Sequence, residues 1–519
     1  MVHSPYSKEN VRQGILHYLL GRGLAGFAGF ATVILMVRYM DVQSYAGFTA
    51  LTGLISLLGV CAGLGLDRAI SRYVPEARLE RSANELGQFI WRITLIRLIA
   101  ALIGSLILYI LWKQVIHLFP DVHLVEFPIS LVFFVIAETL FQHFSSVMQA
   151  LIKQKELTRI LLVQWAGRLL MIGWVVSSNH YIGLDESLWI MTIPEIAGVI
   201  IFILVMQFDL SALQQQERTQ HISKITNTTT WPDWSAVFKM AGNNYGFTLL
   251  AAPPQGYFMK MLAAIYLPAH IVAAYGFFLS IAERSRQYIP LHFFYNLLEP
   301  VMIARYLKDQ DFPALNYRCQ LLYKSNLLLL VPAIAWVAVS GDSIDKLMTG
   351  GKFQGMSWIL VLVMIQLTIG SHVVLLQLVL NSVEKSRLLI KASLNALPVM
   401  MIGVLTAVNT NVIYLLLCPI LFSFVMNTSI IIYLSLNGHS YKPSWKMQGG
   451  VLISGLIAFA LMAVAKLTIP WGSNSLSLMI LMFAGIVIIY TLTIWGVKAV
   501  DKSEIILVKS LIKVQKGSF

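Results

Sequence analysis

The sequence predicts an all-α polytopic membrane protein of about fourteen transmembrane helices, and three observations carry that expectation. Of 519 residues, 57% are hydrophobic and only 12% are charged, where soluble domains run near about 25% charged. The mean hydropathy is +0.72. Apolar stretches also recur at lengths near the ~20 residues that a helix needs to cross a bilayer core of roughly 30 Å, with Lys and Arg gathered in alternate connections.

Taken in order, the apolar stretches fall at about 14–38, 45–66, 90–112, 128–150, 160–178, 187–207 and 237–266. The rest fall at about 271–296, 322–340, 356–381, 388–408, 412–434, 449–469 and 475–497. The second of them opens with Tyr45 to Leu66, nearly uncharged, and breaks into a run carrying Arg68, Arg72, Arg78 and Arg81. Topology follows Lys and Arg rather than net charge, so this run is expected to face the cytoplasm. With both termini cytoplasmic, inner connections hold about five times as many Lys and Arg as outer ones. Arg38, Lys113, Lys346, Lys352 and Lys466 are the outer set. The first apolar stretch is too long for a signal-peptide core and holds Arg22, so no cleaved leader is expected.

Composition shifts suggest lobes. The longest polar insert, about Asp209 to Trp234, is rich in Gln and Thr and reads as a solvated linker. It separates an N-terminal lobe (1–208) from a C-terminal lobe (237–436), with the linker spanning 209–236. Tyr45-Ala46-Gly47-Phe48 precedes Arg72-Tyr73 much as Tyr275-Gly276-Phe277 precedes Arg305-Tyr306. That weak repeat implies two six-helix lobes related by a parallel pseudo-twofold. A terminal helix pair (445–497) and a basic tail (498–519) follow. In the tail, Ile505, Ile506, Leu511 and Ile512 lie among lysines, as in a short interfacial helix or a frayed basic end.

Several function classes drop out. The net charge of +13 is spread over short loops, which suits anionic lipid headgroups rather than nucleic acid. Cys61, Cys319 and Cys418 are isolated and give neither a disulfide framework nor a metal spacing. Gly21-Arg22-Gly23-Leu24-Ala25-Gly26 spells a dinucleotide fingerprint but lies inside an apolar helix with no preceding strand. Gly21, Ala25 and Gly29 instead make a small-residue face for close helix packing. Asn227-Thr228-Thr229 spells a glycosylation acceptor on the cytoplasmic side, where it would not be used. The longest outer loops, near 113–127 and 341–355, leave no room for a soluble catalytic domain, and no cofactor is expected.

A charge at the bilayer centre costs about 2.5–3.5 kcal/mol even on the lenient scale, so each needs a reason. Arg284 is expected near the middle of its helix, with Glu283 and Arg286 paired beside it at i,i+3. Arg22 and Lys260 are further candidate anion ligands, and Lys260 follows the Pro253-Pro254 break. Arg97 and Arg168 are matched with Glu138 and Glu195 as expected structural partners, the two acids doubling as candidate ion-coupling groups. Asn243, Asn244 and Gln255 are candidates for sugar hydroxyls or for interhelical hydrogen bonds. His143 and His372 are single histidines on apolar helices and are expected to pack.

Arg38-Tyr39-Met40, Tyr45-Ala46-Gly47-Phe48, Gly63, Gly65 and Arg72-Tyr73-Val74-Pro75-Glu76 together resemble the start of polysaccharide-type transporters. These belong to the multidrug/oligosaccharidyl-lipid/polysaccharide (MOP) exporter superfamily, with the O-antigen and lipid II flippases and the multidrug extrusion carriers. The resemblance implies a multi-pass protein of the bacterial cytoplasmic membrane that flips a polyprenyl-pyrophosphate-linked oligosaccharide for capsule, O-antigen or exopolysaccharide assembly. It implies membrane lipids, a polysaccharide polymerase and chain-length machinery as partners. By helix position it carries the substrate role to Arg22, Lys260 and Arg284. A cation-coupled exporter of the same superfamily is the nearest alternative, kept open by Glu138 and Glu195. A membrane-bound glycosyltransferase, polymerase or acyltransferase is the more distant one, and it would need a large outer loop or a clustered His and acid site.

Overall fold

A computed structural model describes residues 8–122, 124, 127–220, 231–443, 445–468, 476–500 and 504. Within these the chain is helical throughout. Eleven helices are long and apolar enough to cross a membrane, and Gly23–Tyr39 adds a shorter apolar stretch. A bilayer offers the backbone no hydrogen-bond partners, so helices that satisfy their own N–H and C=O groups are the natural solution. Contacts divide the chain into two compact units, Met1–Phe277 and Phe278–Phe519.

The first unit holds α1 (Lys8–Tyr39), α2 (Val42–Gly63), α3 (Asp67–Glu80), α4 (Ala83–Ile110) and α5 (Trp112–Leu118). It continues with α6 (Ile129–Ala150), α7 (Gln154–Asn179), α8 (Leu184–Gln220), α9 (Trp234–Leu250) and α10 (Gly256–Tyr266). The division falls inside α11 (Ala269–Arg286). The second unit then has α12 (Pro290–Asp309), α13 (Phe312–Thr349), α14 (Ser357–Ser382) and α15 (Arg387–Asn409). A short 3-10 turn (Val412–Leu417) leads into α16 (Cys418–Leu436), followed by α17 (Trp445–Thr468) and α18 (Leu476–Gly496).

Two expected crossings are broken. The stretch 237–266 becomes α9 and α10, interrupted at Pro253 and Pro254, which cannot donate to the helix ladder. The stretch 271–296 becomes α11 and α12. Ile289 is extended (φ −71°, ψ 134°) ahead of Pro290 at the start of α12, as a residue before proline prefers. Arg284 therefore lies in the last turn of α11, not deep in a continuous helix. The polar insert is shorter than expected too: α8 runs on to Gln220. Ala, Leu, Gln, Glu and Arg all favour helix there, and Asp209 is held by Lys153 (2.5 Å) and Arg78 (3.6 Å). The Asn227 sequon, Arg12 and the apolar tail residues from Ile505 onward lie outside the described residues or side chains.

Glycines set how closely the helices of the first unit approach. The face of Gly21, Ala25 and Gly29 is buried, and a Cβ on Gly21 would stand 1.8 Å from Thr158 of α7. Gly53 brings α2 against α10, where a Cβ would lie 2.9 Å from the Tyr257 carbonyl oxygen. Gly65 has φ +68°, and its Cβ would meet the Ala241 oxygen of α9 at 2.2 Å. The first unit also sorts its connections between two ends. At one end Trp231 donates to Glu76 (3.0 Å), and Asp209 gathers Arg78 and Lys153. At the other, Gln43 donates to the Asp121 carbonyl (2.7 Å), Ser130 to Asp185 (2.5 Å), and Tyr181 to Asp41. Partial burial opposes ionisation of Asp41, but hydrogen bonds from Tyr181 and Ser44 outweigh it and hold the carboxyl below its usual range. The connections of the first unit thus gather in two clusters of loops.

Gly65→Val adds a side chain where neither the backbone angle nor α9 leaves room. Strain of this kind costs about 1–3 kcal/mol, so thermal unfolding of the purified protein should shift down clearly. Gly246→Ala, which meets nothing within 4 Å, should leave it near wild type.

Candidate functional site

A polar cluster in the first unit sits where α6, α7 and α8 meet. Gly167 precedes Arg168 on α7, and Pro194 precedes Glu195 on α8. A Cβ on Gly167 would already touch Pro194 at 3.3 Å, so the glycine lets the two helices close at this level. Gly198 does the same between α8 and α6, where a Cβ would stand 2.6 Å from the Phe141 ring. Small residues therefore surround the site and bring its charges within reach.

Arg168 Nη2 donates to Glu195 Oε1 at 2.5 Å, and Gln164 Nε2 approaches the same oxygen at 3.3 Å. Arg168 also lies 4.4 Å over the Trp165 ring, a cation–π contact that favours the charged guanidinium. Both partners are shielded, Arg168 at 6% and Glu195 at 2% exposure. Glu138 of α6 is half-buried and takes a hydrogen bond from Gln142 at 2.5 Å. Glu195 Oε2 is buried, and among the described residues no group donates to it.

The expected pairing of two arginines with two glutamates is thus half right in geometry. Arg97 is not matched to Glu138. Its Nη2 lies 2.8 Å from Asp67 Oδ1, at the start of α3. The reason is height in the bundle: Arg97 lies level with His143 and Ser146 of α6 rather than with Glu138, and Ser146 donates to the same carboxylate oxygen at 3.1 Å. His143 is wholly buried beside it, 2.7 Å from Thr94 and against Phe144. It packs as expected. The signal for Asp67 in the sequence is its place directly after the Gly63–Gly65 turn.

The other candidates are dispersed over the elements. Asn244 of α9 donates to the Gly65 carbonyl at 3.1 Å, an interhelical bond rather than an open site. Asn243 is exposed beside it. Gln255 stands at the N-terminus of α10 and folds back toward the Ala251 carbonyl at 3.4 Å. Lys260 is half-buried on α10, on the face that Gly53 admits. Arg22 lies on α1, and its side chain is outside the described set.

In the second unit, Arg286 Nε approaches His292 Nδ1 at 3.4 Å, and His292 Nε2 is 3.0 Å from Ser371 Oγ. Arg284 is half-buried in the same turn of α11. His372 is bonded to Tyr441 (2.9 Å) and lies against the Tyr323 ring. Two buried contacts were missed from sequence. Lys324 pairs with Glu504 at 2.6 Å, and Gln448 donates to Gln320 at 2.6 Å. Each joins residues more than a hundred positions apart, with no local pattern to announce it.

Removing one member of a buried ion pair leaves the other charge uncompensated, at about 3–5 kcal/mol. Arg168→Ala should therefore lower the unfolding temperature sharply, and adding Glu195→Gln should recover most of the loss. A double variant no more stable than Arg168→Ala would show that the pair is not coupled.

No protein-family profile and no curated protein matches the sequence. Solved structures do match in shape. A lipid II flippase MurJ in an inward closed conformation superposes with a TM-score of 0.64 at 13% identity, covering 92% of this chain and 97% of that one. An inward-facing multidrug resistance MATE family transporter of the MOP superfamily superposes with a TM-score of 0.56 at 8% identity, covering 88% and 100%. The chain has the fold that these MOP-superfamily transporters share.

Proposed function

We propose that this chain is a membrane transporter that flips a polyprenyl-pyrophosphate-linked oligosaccharide across the bacterial cytoplasmic membrane. The observation that carries this reading is the near full-length likeness in fold to a lipid II flippase. Long apolar helices account for most of the described chain. Intramembrane cations support an anionic cargo. Arg284 and Arg286 end α11 just before the Pro290 break, and Lys260 follows the Pro253–Pro254 break. At such interruptions side chains and freed backbone groups are available to a ligand, and guanidinium suits pyrophosphate by bidentate hydrogen bonding. Arg22, Asn243 and Gln255 complete the proposed substrate set. The loop end that carries Arg78 and Lys153 is then the cytoplasmic one. The partners that follow are membrane lipids and the polymerase and chain-length machinery that use the flipped product.

The second reading is a cation-coupled exporter. The buried Glu195 and the half-buried Glu138 favour it, because acids within membrane helices mark ion pathways in transporters.

Charge-assisted hydrogen bonds are worth about 1.5–3 kcal/mol, or roughly 10–100-fold in rate. Arg284→Ala should therefore lose that much transport at normal membrane abundance, while Arg284→Lys retains a part. Surface polysaccharide in a strain lacking the native protein, measured beside abundance, checks this. Normal polysaccharide from an abundant Arg284→Ala variant removes Arg284 from the substrate site. For orientation, single cysteines near Arg78, Lys155 and Lys308 should resist an impermeant thiol reagent in intact cells. Those near Asp121, Asp185 and Thr349 should react.

A further inference from the structure

Away from its polar cluster, the first unit carries a groove between the antiparallel helices α4 and α6. At one end the two pack closely: Thr94 lies 2.7 Å from His143, and the Trp91 ring meets Phe144 edge-on. Toward the other end the space between them is not filled. A groove of about 530 Å³ remains there, within the roughly 300–1,000 Å³ of small-molecule sites. Leu102, Ser105, Leu106 and Tyr109 line it from one face of α4, opposite Ile129 and Phe133 of α6. Phe127 caps its end, the ring 5.2 Å from that of Tyr109 and 5.1 Å from that of Trp112.

Both walls belong to helices long and apolar enough to cross a membrane. Leu102, Leu106, Tyr109, Ile129 and Phe133 are between 45% and 64% exposed, so the groove opens sideways toward hydrocarbon. Ser105 is the exception, at 3%. A hydroxyl in apolar surroundings needs an acceptor, and within a helix it commonly finds the carbonyl four residues back. Thr52, Thr94 and Thr192 do so here. Ser105 Oγ does not: it is buried and has no partner among the described residues. Its acceptor must come from what fills the groove. Water suits the place poorly, since it wants about two to four polar partners and the lining is otherwise apolar apart from the Tyr109 hydroxyl.

A bilayer lipid carries an acceptor at the matching height. Tyr and Trp rings gather at headgroup level in membrane helices, and Tyr109 and Trp112 mark that level at this end of α4. Ser105 stands one turn inward, roughly 6 Å along the helix. There the acyl esters of a glycerophospholipid give way to hydrocarbon, whereas a prenyl chain offers no acceptor. Lys113, exposed directly after Trp112, adds a cation on the headgroup side for the lipid phosphate.

We propose that this groove binds one diacyl phospholipid, an ester carbonyl accepting from Ser105 Oγ and the acyl chain lying between α4 and α6. The lipid then fills the interface at this end as Trp91 and Phe144 fill it at the other. Its leaflet is the outer one, an assignment that rests on the cytoplasmic placement of Arg78 and Lys153. Binding itself does not depend on that placement.

The test is native mass spectrometry of the purified, delipidated full chain in detergent. It is titrated with a diacyl phosphatidylglycerol and with the dialkyl ether analogue, which lacks the ester carbonyls. The wild type should bind the diacyl lipid about two- to tenfold more tightly, the worth of one hydrogen bond. Ser105→Ala should bind both lipids alike, at the ether level. Leu102→Trp fills the groove and should lose the first-bound lipid of either kind, while Leu481→Trp on the exposed face of α18 should keep it. No ester preference in the wild type, or a preference that survives Ser105→Ala, overturns the proposal. So does undiminished binding by Leu102→Trp. A polyprenyl phosphate that displaces the diacyl lipid at equal concentration gives the groove to a prenyl chain and overturns it as well. Ser105→Ala carries the test even where Leu102→Trp folds poorly. No readout here needs transport, so lipid binding as expected in a protein that restores no surface polysaccharide would defeat the flippase reading and leave the lipid site standing.

Discussion

A cation inside an apolar helix bundle must meet an acid from a neighbouring helix, and the first unit is arranged around that requirement. Arg168 and Glu195 meet at 2.5 Å with both side chains shielded. Their contact requires α7 and α8 to be close at one level, which Gly167 permits against Pro194. Gly198 then lets α6 close on α8. Around this polar centre lies a continuous apolar core that includes Phe89, Phe141, Phe144, Val147, Phe202 and Met206. The ion pair is not where most stability comes from, since desolvation offsets much of its Coulomb gain. It fixes register: sliding either helix by one turn would strand a charge.

The second controlling feature is the pairing of broken helices with glycine contacts. α9 and α10 are each too short to be an ordinary crossing, and both lie against parts of the chain where a side chain has been omitted. Gly65 accepts α9 and Gly53 accepts α10. The Asn244 bond to the Gly65 carbonyl closes the same joint. Backbone freed by Pro253 and Pro254 is tolerable at membrane depth where protein or a water-filled cavity surrounds it.

The second unit solves its polar problem differently. α13 is 38 residues long and serves as its spine. At one end its residues Gln320 and Lys324 reach α17 and the segment after α18, through Gln448 and Glu504. Further along, Gly341 and Ser357 bring α14 close, and Val331 fills the space left by Gly455 of α17. Lys466 near the end of α17 donates to the Val339 carbonyl at 2.5 Å. These are long-range bonds at the ends of apolar helices, and the apolar surface between them, such as Leu421, Leu456 and Leu467, stays exposed for lipid.

Composition, span length and the alternation of Lys and Arg were enough to read a polytopic helical membrane protein from the sequence, because the bilayer imposes those features residue by residue. Every expected apolar segment lies on a helix or on a pair of helices. The two breaks are legible as Pro253-Pro254 and Pro290; the second ends α11 early and puts Arg284 in its last turn rather than at mid-helix. Which charges meet was another matter. Arg97 goes to Asp67, not to a glutamate, and Lys324 goes to Glu504, 180 positions away. Partner choice depends on helix rotation and height, set by where glycines let helices approach, and no single helix encodes that. The sequence by itself determined that charges would be buried and that helices would cross; the tertiary structure alone decided which charges meet, because only packing fixes which side chains share the same level.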